Sequence, residues 1–287
     1  MSAPLIKLNS GNTIPVVGLG VYLASPEDAL NIIHKALNLG YRHVDSAALY
    51  KNELASAQGI AQWLAEDPVN NKRKDIFYTT KIWDTDHGYE ETKKAIQSSL
   101  EKAKSIDYID LILMHSPQSN YEKRHGSWLA LQEAVDSGKV KNIGVSNYGV
   151  KHLVELLNYP DLKYKPVINQ IEIHPWFIRN DIIDFCKKND IVLEAYSPFA
   201  KARKLDDPIL KNIADKYDKT PAQILVRWSL DKGFVVLPKS VKEERAASNI
   251  DVFDFKLKDE DIKLLDEQDA QMSTGWDPTT YPLDNEK

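Results

Sequence analysis

The runs Arg42-His43-Val44-Asp45, Ile76-Phe77-Tyr78-Thr79-Thr80-Lys81 and Leu111-Ile112-Leu113-Met114-His115 are short, largely apolar and end on a polar residue. Such runs are typical of strands buried in a parallel sheet. Five further short, largely apolar runs lie at 18–21, 141–145, 167–171, 191–195 and 234–237. Helical patterns separate them, for example at 90–104, 128–137 and 220–231. Because parallel strands need crossover connections, eight such units predict an α/β fold, the (β/α)8 TIM barrel, with an open doubly wound sheet as the alternative.

Two segments flank this alternation. Residues 5–8 and 13–17 are separated by a polar turn that contains a glycine, and they predict an N-terminal β-hairpin that could plug one end of the barrel. A helical pattern at 258–270 and a tail at 276–287 follow the last unit, and we expect this tail to fold over the barrel mouth. No linker interrupts the chain, so residues 1–287 are predicted to form one domain.

The composition argues against several classes of protein. The chain is 43% hydrophobic and 28% charged, with a formal net charge of −5, which is ordinary for a globular enzyme. We expect no nucleic-acid partner and no membrane-surface role, since both usually need a basic face. No apolar run approaches the ~20 residues of a membrane span. The first residues lack a signal-peptide pattern, so we expect a cytoplasmic location.

Cysteine and histidine content gives little support for thiol or metal chemistry. The single cysteine, Cys186, allows no intrachain disulfide and fits a reducing compartment. It lies in an apolar helical run, where we interpret it as a small buried hydrophobic residue. The seven histidines lack metal-ligand spacing, so we expect no catalytic metal. The sequence also argues against a Rossmann site, because Gly18-Leu19-Gly20 lacks the third glycine of the dinucleotide fingerprint.

Four polar residues are predicted to meet at the barrel mouth. Asp45, Lys81 and His115 end their strands, and Tyr50 follows the first of them closely. A phenol has a pKa near 10, and a neighbouring ammonium group lowers such a pKa, so we expect Lys81 to make Tyr50 a better acid. Asp45 could hold Lys81 in place, and a neutral His115 could donate a hydrogen bond to a substrate oxygen.

This combination predicts the reduction of a carbonyl group. The four side chains can polarise a carbonyl and deliver a proton to it. No side chain supplies a hydride, so a nicotinamide cofactor is implied. An isomerase or lyase that uses Lys81 as a Schiff-base amine is an alternative reading of the same residues.

Several segments resemble the aldo-keto reductase family. Residues 45–53, Asp-Ser-Ala-Ala-Leu-Tyr-Lys-Asn-Glu, are similar to the family signature Asp-Ser/Thr-Ala-x-x-Tyr-x-Asn-Glu. The segments around Lys81 and His115 match the family's catalytic lysine and histidine. Further similar segments follow in family order: Gly144-Val145-Ser146-Asn147-Tyr148, Asn169-Gln170-Ile171-Glu172, Ala195-Tyr196-Ser197-Pro198 and Pro238-Lys239-Ser240. The resemblance implies Tyr50 as the general acid, tuned by Lys81 and Asp45, with His115 orienting the carbonyl.

The resemblance also implies a cofactor site for NADPH. The implied nicotinamide contacts are Ser146, Asn147 and Gln170 for the carboxamide and Tyr196 for the ring. Ser197 would approach the pyrophosphate. The implied adenosine contacts are Lys239, Ser240 and Arg245 at the 2′-phosphate and Asn249 near the adenine. Barrels commonly bind phosphate after the eighth strand, and lysine and arginine give charge-assisted hydrogen bonds, so a preference for NADPH over NADH is expected.

Three features of the chain bear on substrate and cofactor exchange. Ser116 stands where many family members carry tryptophan, which suggests a roomier or more polar pocket next to the carbonyl. Ser248 replaces a frequent acidic residue beside Asn249. The loop at 198–207 is short, and faster cofactor exchange is one hypothesis that follows. The expected substrate pocket is lined by Tyr22, Trp83, Ser116 and Trp276.

The sequence therefore predicts an NADPH-dependent carbonyl reductase. An apolar pocket with one polar anchor suits small aldehydes and activated ketones. Similarity to small fungal carbonyl reductases suggests α-dicarbonyls, keto-lactones and keto-esters as substrates. A non-catalytic NADPH-binding barrel that senses the cofactor is the second reading. The family default implies a monomer.

Overall fold

The computed structural model describes residues 3–286, and it contains one parallel eight-stranded sheet. The strands of that sheet follow one another in space in chain order. They are β3 Leu19–Gly20, β4 His43–Asp45, β5 Phe77–Ile82, β6 Ile109–Met114, β7 Val140–Ser146, β8 Ile168–Glu172, β9 Val192–Tyr196 and β10 Val235–Leu237. Each predicted strand is present, within one or two residues of its expected bounds.

Backbone contacts between the first and last strands close this sheet into a barrel. Parallel bridges join Val17 to Val236 and Gly20 to Lys239, and Gly18 N donates to Val236 O at 2.9 Å. A Cβ at Gly18 would lie 2.6 Å from the His43 ring, so only glycine fits this close approach. The (β/α)8 barrel is confirmed, and the open doubly wound alternative is wrong because no free edge separates β3 from β10.

Helices cover the outside of the barrel and connect its strands. They are α1 Pro26–Asn38, α2 Glu53–Glu66, α3 Tyr89–Lys102, α4 Tyr121–Asp136, α5 Val150–Leu157, α6 Asn180–Lys188, α7 Pro208–Tyr217, α8 Pro221–Asp231, α9 Glu243–Ile250 and α10 Asp259–Asp266. Ser25 caps α1 by accepting from Asp28 N. Thr220 caps α8 in a capping box with Gln223. No helix in the described part of the chain has the length and apolar character needed to cross a membrane.

Two helices differ from their predicted bounds. The helix predicted from 128 begins seven residues earlier, because the Asn120 side chain accepts from Lys123 N and starts the first turn. The helix predicted over 258–270 ends at Asp266, and Gln271 then adopts a left-handed φ of 50°. The sequence beyond Asp266 still looks helical, but the chain turns there toward the barrel mouth.

The ends of the described chain lie at opposite sides of the barrel. Strands β1 Leu5–Lys7 and β2 Thr13–Pro15 pair antiparallel as the expected hairpin. The hairpin turn donates to the Asn142 side chain near the start of β7, so it covers the N-terminal end of the barrel. The tail reaches the other end, where Trp276 approaches His115. Both expectations are confirmed.

The loop after β9 contains three consecutive left-handed residues that are not glycine. The φ angles are 46° at Ala200, 53° at Lys201 and 63° at Ala202. A left-handed L-residue costs roughly 1–2 kcal/mol, because Cβ crowds the following carbonyl. Strain of this kind is retained mainly where a loop serves a ligand or a switch, and this loop directly follows Tyr196 and Ser197.

Replacing Ala202 with glycine should stabilise the protein. Ala202 is exposed, so its methyl group buries nothing, and glycine removes the left-handed strain. We expect the free energy of unfolding to rise by about 0.5–1 kcal/mol in urea denaturation. Ala134→Gly, at a partly buried position inside α4, is the matched control and should lower it by about 1 kcal/mol. A lower free energy of unfolding in Ala202→Gly would contradict the claim that Ala202 is strained.

Candidate active site

A buried ion pair lies inside the mouth of the barrel. Lys81 is fully buried on β5, and its Nζ donates to Asp45 Oδ1 at 2.7 Å and to Asp45 Oδ2 at 2.8 Å. The third donor of the ammonium group goes to Ser46 O at 2.9 Å. All three donors are therefore used. Lys81 can act on Tyr50 and other neighbours only through its positive charge.

The hydroxyl-bearing ring of Tyr50 lies beside this pair. Tyr50 ends a short helical turn after β4, and its ring centroid is 5.1 Å from Lys81 Nζ. Burial raises the pKa of Tyr50 well above its ordinary value, and the Asp45 carboxylate raises it further. The expectation of a lowered pKa is wrong, because the cost of burying a phenolate outweighs the attraction of Lys81, whose charge Asp45 partly offsets. Tyr50 consequently keeps its proton at neutral pH and can donate it.

His115 completes the group of four polar residues. Its ring makes edge contacts with the rings of Tyr50 at 5.8 Å and Trp83 at 5.1 Å. Burial holds the pKa of His115 well below 6.5, and the Lys81 charge lowers it further. The imidazole is therefore neutral and carries one N–H donor. The structure brings together all four residues that the sequence selected.

Aromatic side chains surround this group. The Tyr22 and Tyr50 rings are 5.1 Å apart, and the Trp83 and Trp276 rings are 5.7 Å apart. Tyr22 and Trp276 are 47% and 43% exposed, so both offer apolar surface at the mouth. Trp276 Nε1 donates to Gln118 Oε1 at 3.1 Å, which fixes the indole. Tyr22 therefore lies against Tyr50, and Trp83 and Trp276 lie against His115, so the three predicted residues flank the polar group.

The fourth predicted pocket residue, Ser116, offers no exposed surface to the mouth. Ser116 is fully buried, and its hydroxyl donates to Asp84 Oδ1 at 2.7 Å. Burial raises the pKa of Asp84 to about 6, and this hydrogen bond offsets part of the cost of enclosing the carboxyl group. The Ser116 hydroxyl is used by Asp84 and has no exposed surface, so Ser116 could enlarge the pocket only by lacking a large side chain.

The tail that carries Trp276 is attached by polar contacts that the sequence does not reveal. Glu172, at the end of β8, accepts from Thr274 N at 3.0 Å and contacts His174 Nε2 at 2.9 Å. Arg179 pairs with Asp277 at 3.2 Å. The partners of each tail contact are about a hundred residues apart, so no local pattern could have indicated them.

Hydrogen bonds connect the predicted nicotinamide contacts to one another. Ser146 Oγ donates to Gln170 O at 2.8 Å. Asn147 adopts a left-handed φ of 60° after β7, and its Nδ2 donates to His115 O at 2.9 Å. The Tyr196 hydroxyl donates to Asn147 Oδ1 at 2.8 Å, which fixes a half-buried ring at the mouth. This side of the mouth thus offers a flat ring next to polar amide groups.

Unpaired cations lie further along the same face, beyond β10. Lys239 and Arg245 are exposed, and neither makes an ion pair within residues 3–286. Ser240 and Asn249 are buried beside them, and Ser197 lies in the strained loop after β9, at a φ of 50°. Two free cations fit an additional phosphate, so the donor set suits a phosphorylated nicotinamide dinucleotide.

Sequence reasoning missed Glu194, which lies beneath the ion pair. It is fully buried on β9, and its Oε2 accepts from Gln170 Nε2 at 2.6 Å. The signal was available, because Glu194 is a charged residue in the middle of the apolar run Val192-Leu193-Glu194-Ala195-Tyr196.

Candidate metal ligands and the cysteine also lie within residues 3–286. Among residues 3–286 no group of three or more His, Cys, Asp or Glu side chains could hold a metal ion. Cys186 is buried, and burial raises the pKa of its thiol to about 12.

The barrel and the residues at its mouth are those of a β/α-barrel oxidoreductase, and the family match makes NADP(H) its cofactor. The model of the aldo/keto reductase family matches residues 18–270, and the chain belongs to this family.

Relatives with known names or structures match nearly the whole chain. An uncharacterised oxidoreductase of Saccharomyces cerevisiae is 45% identical, over 96% of this chain and 98% of its own length. Glyoxal reductase of Bacillus subtilis is 40% identical, over 95% of both chains. A Bombyx mori aldo-keto reductase solved in complex with NADP superposes with a TM-score of 0.88 at 34% identity, and covers 96% of this chain and 95% of its own.

Proposed function

We propose that this enzyme reduces aldehydes and activated ketones, including α-dicarbonyls, keto-lactones and keto-esters, to alcohols with NADPH. The observation that carries the proposal is the Tyr50 ring beside His115 and next to the Lys81–Asp45 pair, within an aromatic mouth. Bound NADPH supplies the hydride.

The proposed roles follow from the charge state of each group. Tyr50 donates its proton to the carbonyl oxygen as negative charge develops there. His115 orients the same oxygen through its one N–H group, and it adds no charge of its own. Lys81 stabilises the Tyr50 phenolate that remains, while Asp45 keeps the ammonium group fixed.

Cofactor binding is proposed along one side of the mouth. Ser146, Asn147 and Gln170 would hold the carboxamide, and the Tyr196 ring would stack on the nicotinamide. Ser197 would meet the pyrophosphate. The residues proposed for the adenosine end are Lys239, Ser240, Arg245 and Asn249.

The substrate class rests on the pocket and on one relative. The rings of Tyr22, Trp83 and Trp276 surround Tyr50 and His115 with largely apolar surface. Such a pocket favours small carbonyl compounds with one hydrogen-bonding centre. The Bacillus subtilis relative is a glyoxal reductase, which supports α-dicarbonyls as the first substrates to try.

A panel of aldehydes, α-diketones and keto-lactones tests the proposal, with loss of NADPH absorbance as the readout. We expect NADPH-dependent turnover, with activated carbonyls ahead of simple ketones. Tight NADPH binding without turnover of any member would overturn the reductase and favour the non-catalytic, cofactor-sensing barrel.

Removing both cations of the proposed 2′-phosphate site should change cofactor preference. We expect Lys239→Ala with Arg245→Ala to raise the KM for NADPH by at least about 100-fold, since each charge-assisted bond contributes about 1.5–3 kcal/mol. The KM for NADH should change little, because NADH lacks that phosphate. Lys104→Ala with Lys263→Ala removes two cations that are 78% and 79% exposed, and serves as the control. Equal effects on both cofactors would refute the assignment.

A further inference from the structure

One amide group bridges two buried carboxyl groups beneath the proposed catalytic residues. Gln170 Nε2 donates to Glu194 Oε2 at 2.6 Å and to Asp45 Oδ2 at 2.9 Å. Glu194 is fully buried and Asp45 nearly so. Both protons of the amide nitrogen are therefore spent on the two carboxyl groups.

Among residues 3–286, no cation donates a hydrogen bond to Glu194. The three donors of Lys81 go to Asp45 and to Ser46 O. His43 Nε2 lies 3.5 Å from Glu194 Oε1, but burial lowers the pKa of His43 to about 3, so its ring is neutral. Glu194 Oε1 accepts no hydrogen bond in the described part of the chain.

The groups that act on Glu194 come from both sides of the barrel interior. Gln170 of β8 and the apolar Val235 of β10 are its partners on the adjacent strands. His43 and Asp45 of β4 and Lys81 of β5 face it from across the barrel, and Lys81 is already paired with Asp45. Two carboxylates that share one donor in a dry interior cannot both be charged without a large cost in free energy.

We propose that Glu194 carries a proton near neutral pH and is a positioning residue, which holds the Gln170 amide against Asp45 and keeps the net charge beneath Tyr50 at zero. Asp45 and Lys81 then cancel, and the amide oxygen of Gln170 is left to accept from a ligand. Burial, with a smaller contribution from Asp45, raises the pKa of Glu194 to about 8, in agreement with this geometry.

Loss of the proton from Glu194 acts on Tyr50 through charge. Above about pH 8 the Glu194 carboxylate adds a negative charge below the site, and this charge raises the pKa of Tyr50. Alcohol oxidation needs Tyr50 as the base, so it needs the phenolate. When Glu194 is ionised, the rate of alcohol oxidation therefore begins to increase only at a higher pH.

The variant Glu194→Gln isolates this effect. Its amide oxygen still accepts from Gln170, but the side chain cannot ionise. We expect the apparent pKa of kcat/KM for alcohol oxidation to fall by about one unit relative to the wild type, and the difference in rate to grow with pH. Glu133→Gln, at an exposed position on α4, should leave the profile unchanged. The effect on turnover rests on the proposed function.

Carbon-13 NMR of protein labelled at glutamate carboxyl groups tests the proton directly, without turnover. The signal lost in Glu194→Gln should titrate near pH 8 in the wild type, not near the ordinary value of about 4.3. Titration near the ordinary value overturns the proposal, whatever the enzyme turns over. Titration near pH 8 with an unchanged pH profile in Glu194→Gln overturns the positioning role. If the wild type shows no turnover, the proposed reductase function is refuted. The NMR titration still tests whether Glu194 carries a proton.

Discussion

Replacing Tyr50 with phenylalanine should lower kcat for carbonyl reduction by about three orders of magnitude. The phenylalanine ring keeps the packing against Tyr22 and His115 and removes only the hydroxyl that donates the proton. Steady-state rates with the best substrate of the panel measure the loss. NADPH binding, followed by fluorescence quenching, should stay within about twofold of the wild type, because the ring is not among the proposed cofactor contacts.

Tyr108→Phe is the matched control. Tyr108 lies just before β6, at the opposite end of the barrel, and stacks on Arg73. Losing its hydroxyl should leave kcat unchanged. If Tyr50→Phe retained more than about a tenth of the wild-type kcat, Tyr50 would not be the general acid.

The second large effect concerns the buried ion pair. Lys81→Met should lower kcat by about two to three orders of magnitude, because no positive charge then stabilises the Tyr50 phenolate. The same variant strands the Asp45 carboxylate in the interior, which costs about 3–5 kcal/mol in the free energy of unfolding. Urea denaturation and steady-state kinetics on one preparation measure both quantities.

A double variant separates catalysis from burial. Asp45→Asn added to Lys81→Met removes the stranded charge, and the asparagine oxygen can still accept from Gln170. We expect most of the lost stability to return while kcat stays low. Recovery of kcat together with stability would mean that Lys81 serves only the fold.

Much of this architecture follows from short-range patterns. The apolar runs specify the barrel strands, because a strand covered on both faces tolerates few polar residues. The sequence also predicts that Asp45, Lys81 and His115 lie together, since the carboxyl ends of parallel strands converge on one mouth. Asn147 and Gln170 follow the same rule, and each hydrogen-bonds to one of those three residues or its neighbour.

What the sequence leaves out depends on contacts between distant residues. Ser116 was expected in the pocket wall, but Asp84, 32 residues away, draws its hydroxyl inward. The acidity of Tyr50 was expected to increase, but the cost of burial outweighs the attraction of Lys81, which Asp45 partly offsets, and the pKa rises. Both outcomes depend on how the folded chain packs around one side chain, and residue order alone does not encode that packing.

The attachment of the tail has a consequence for how this enzyme could diversify. The acid, amine and imidazole belong to the barrel, whereas Trp276 belongs to a segment joined to it by Glu172 and Arg179. Selection can therefore exchange or reshape this segment and alter which molecules are accepted, with the proton-transfer apparatus inherited intact. Chimeras that graft tails from relatives onto a barrel retaining both anchors are thus a direct route to new specificities.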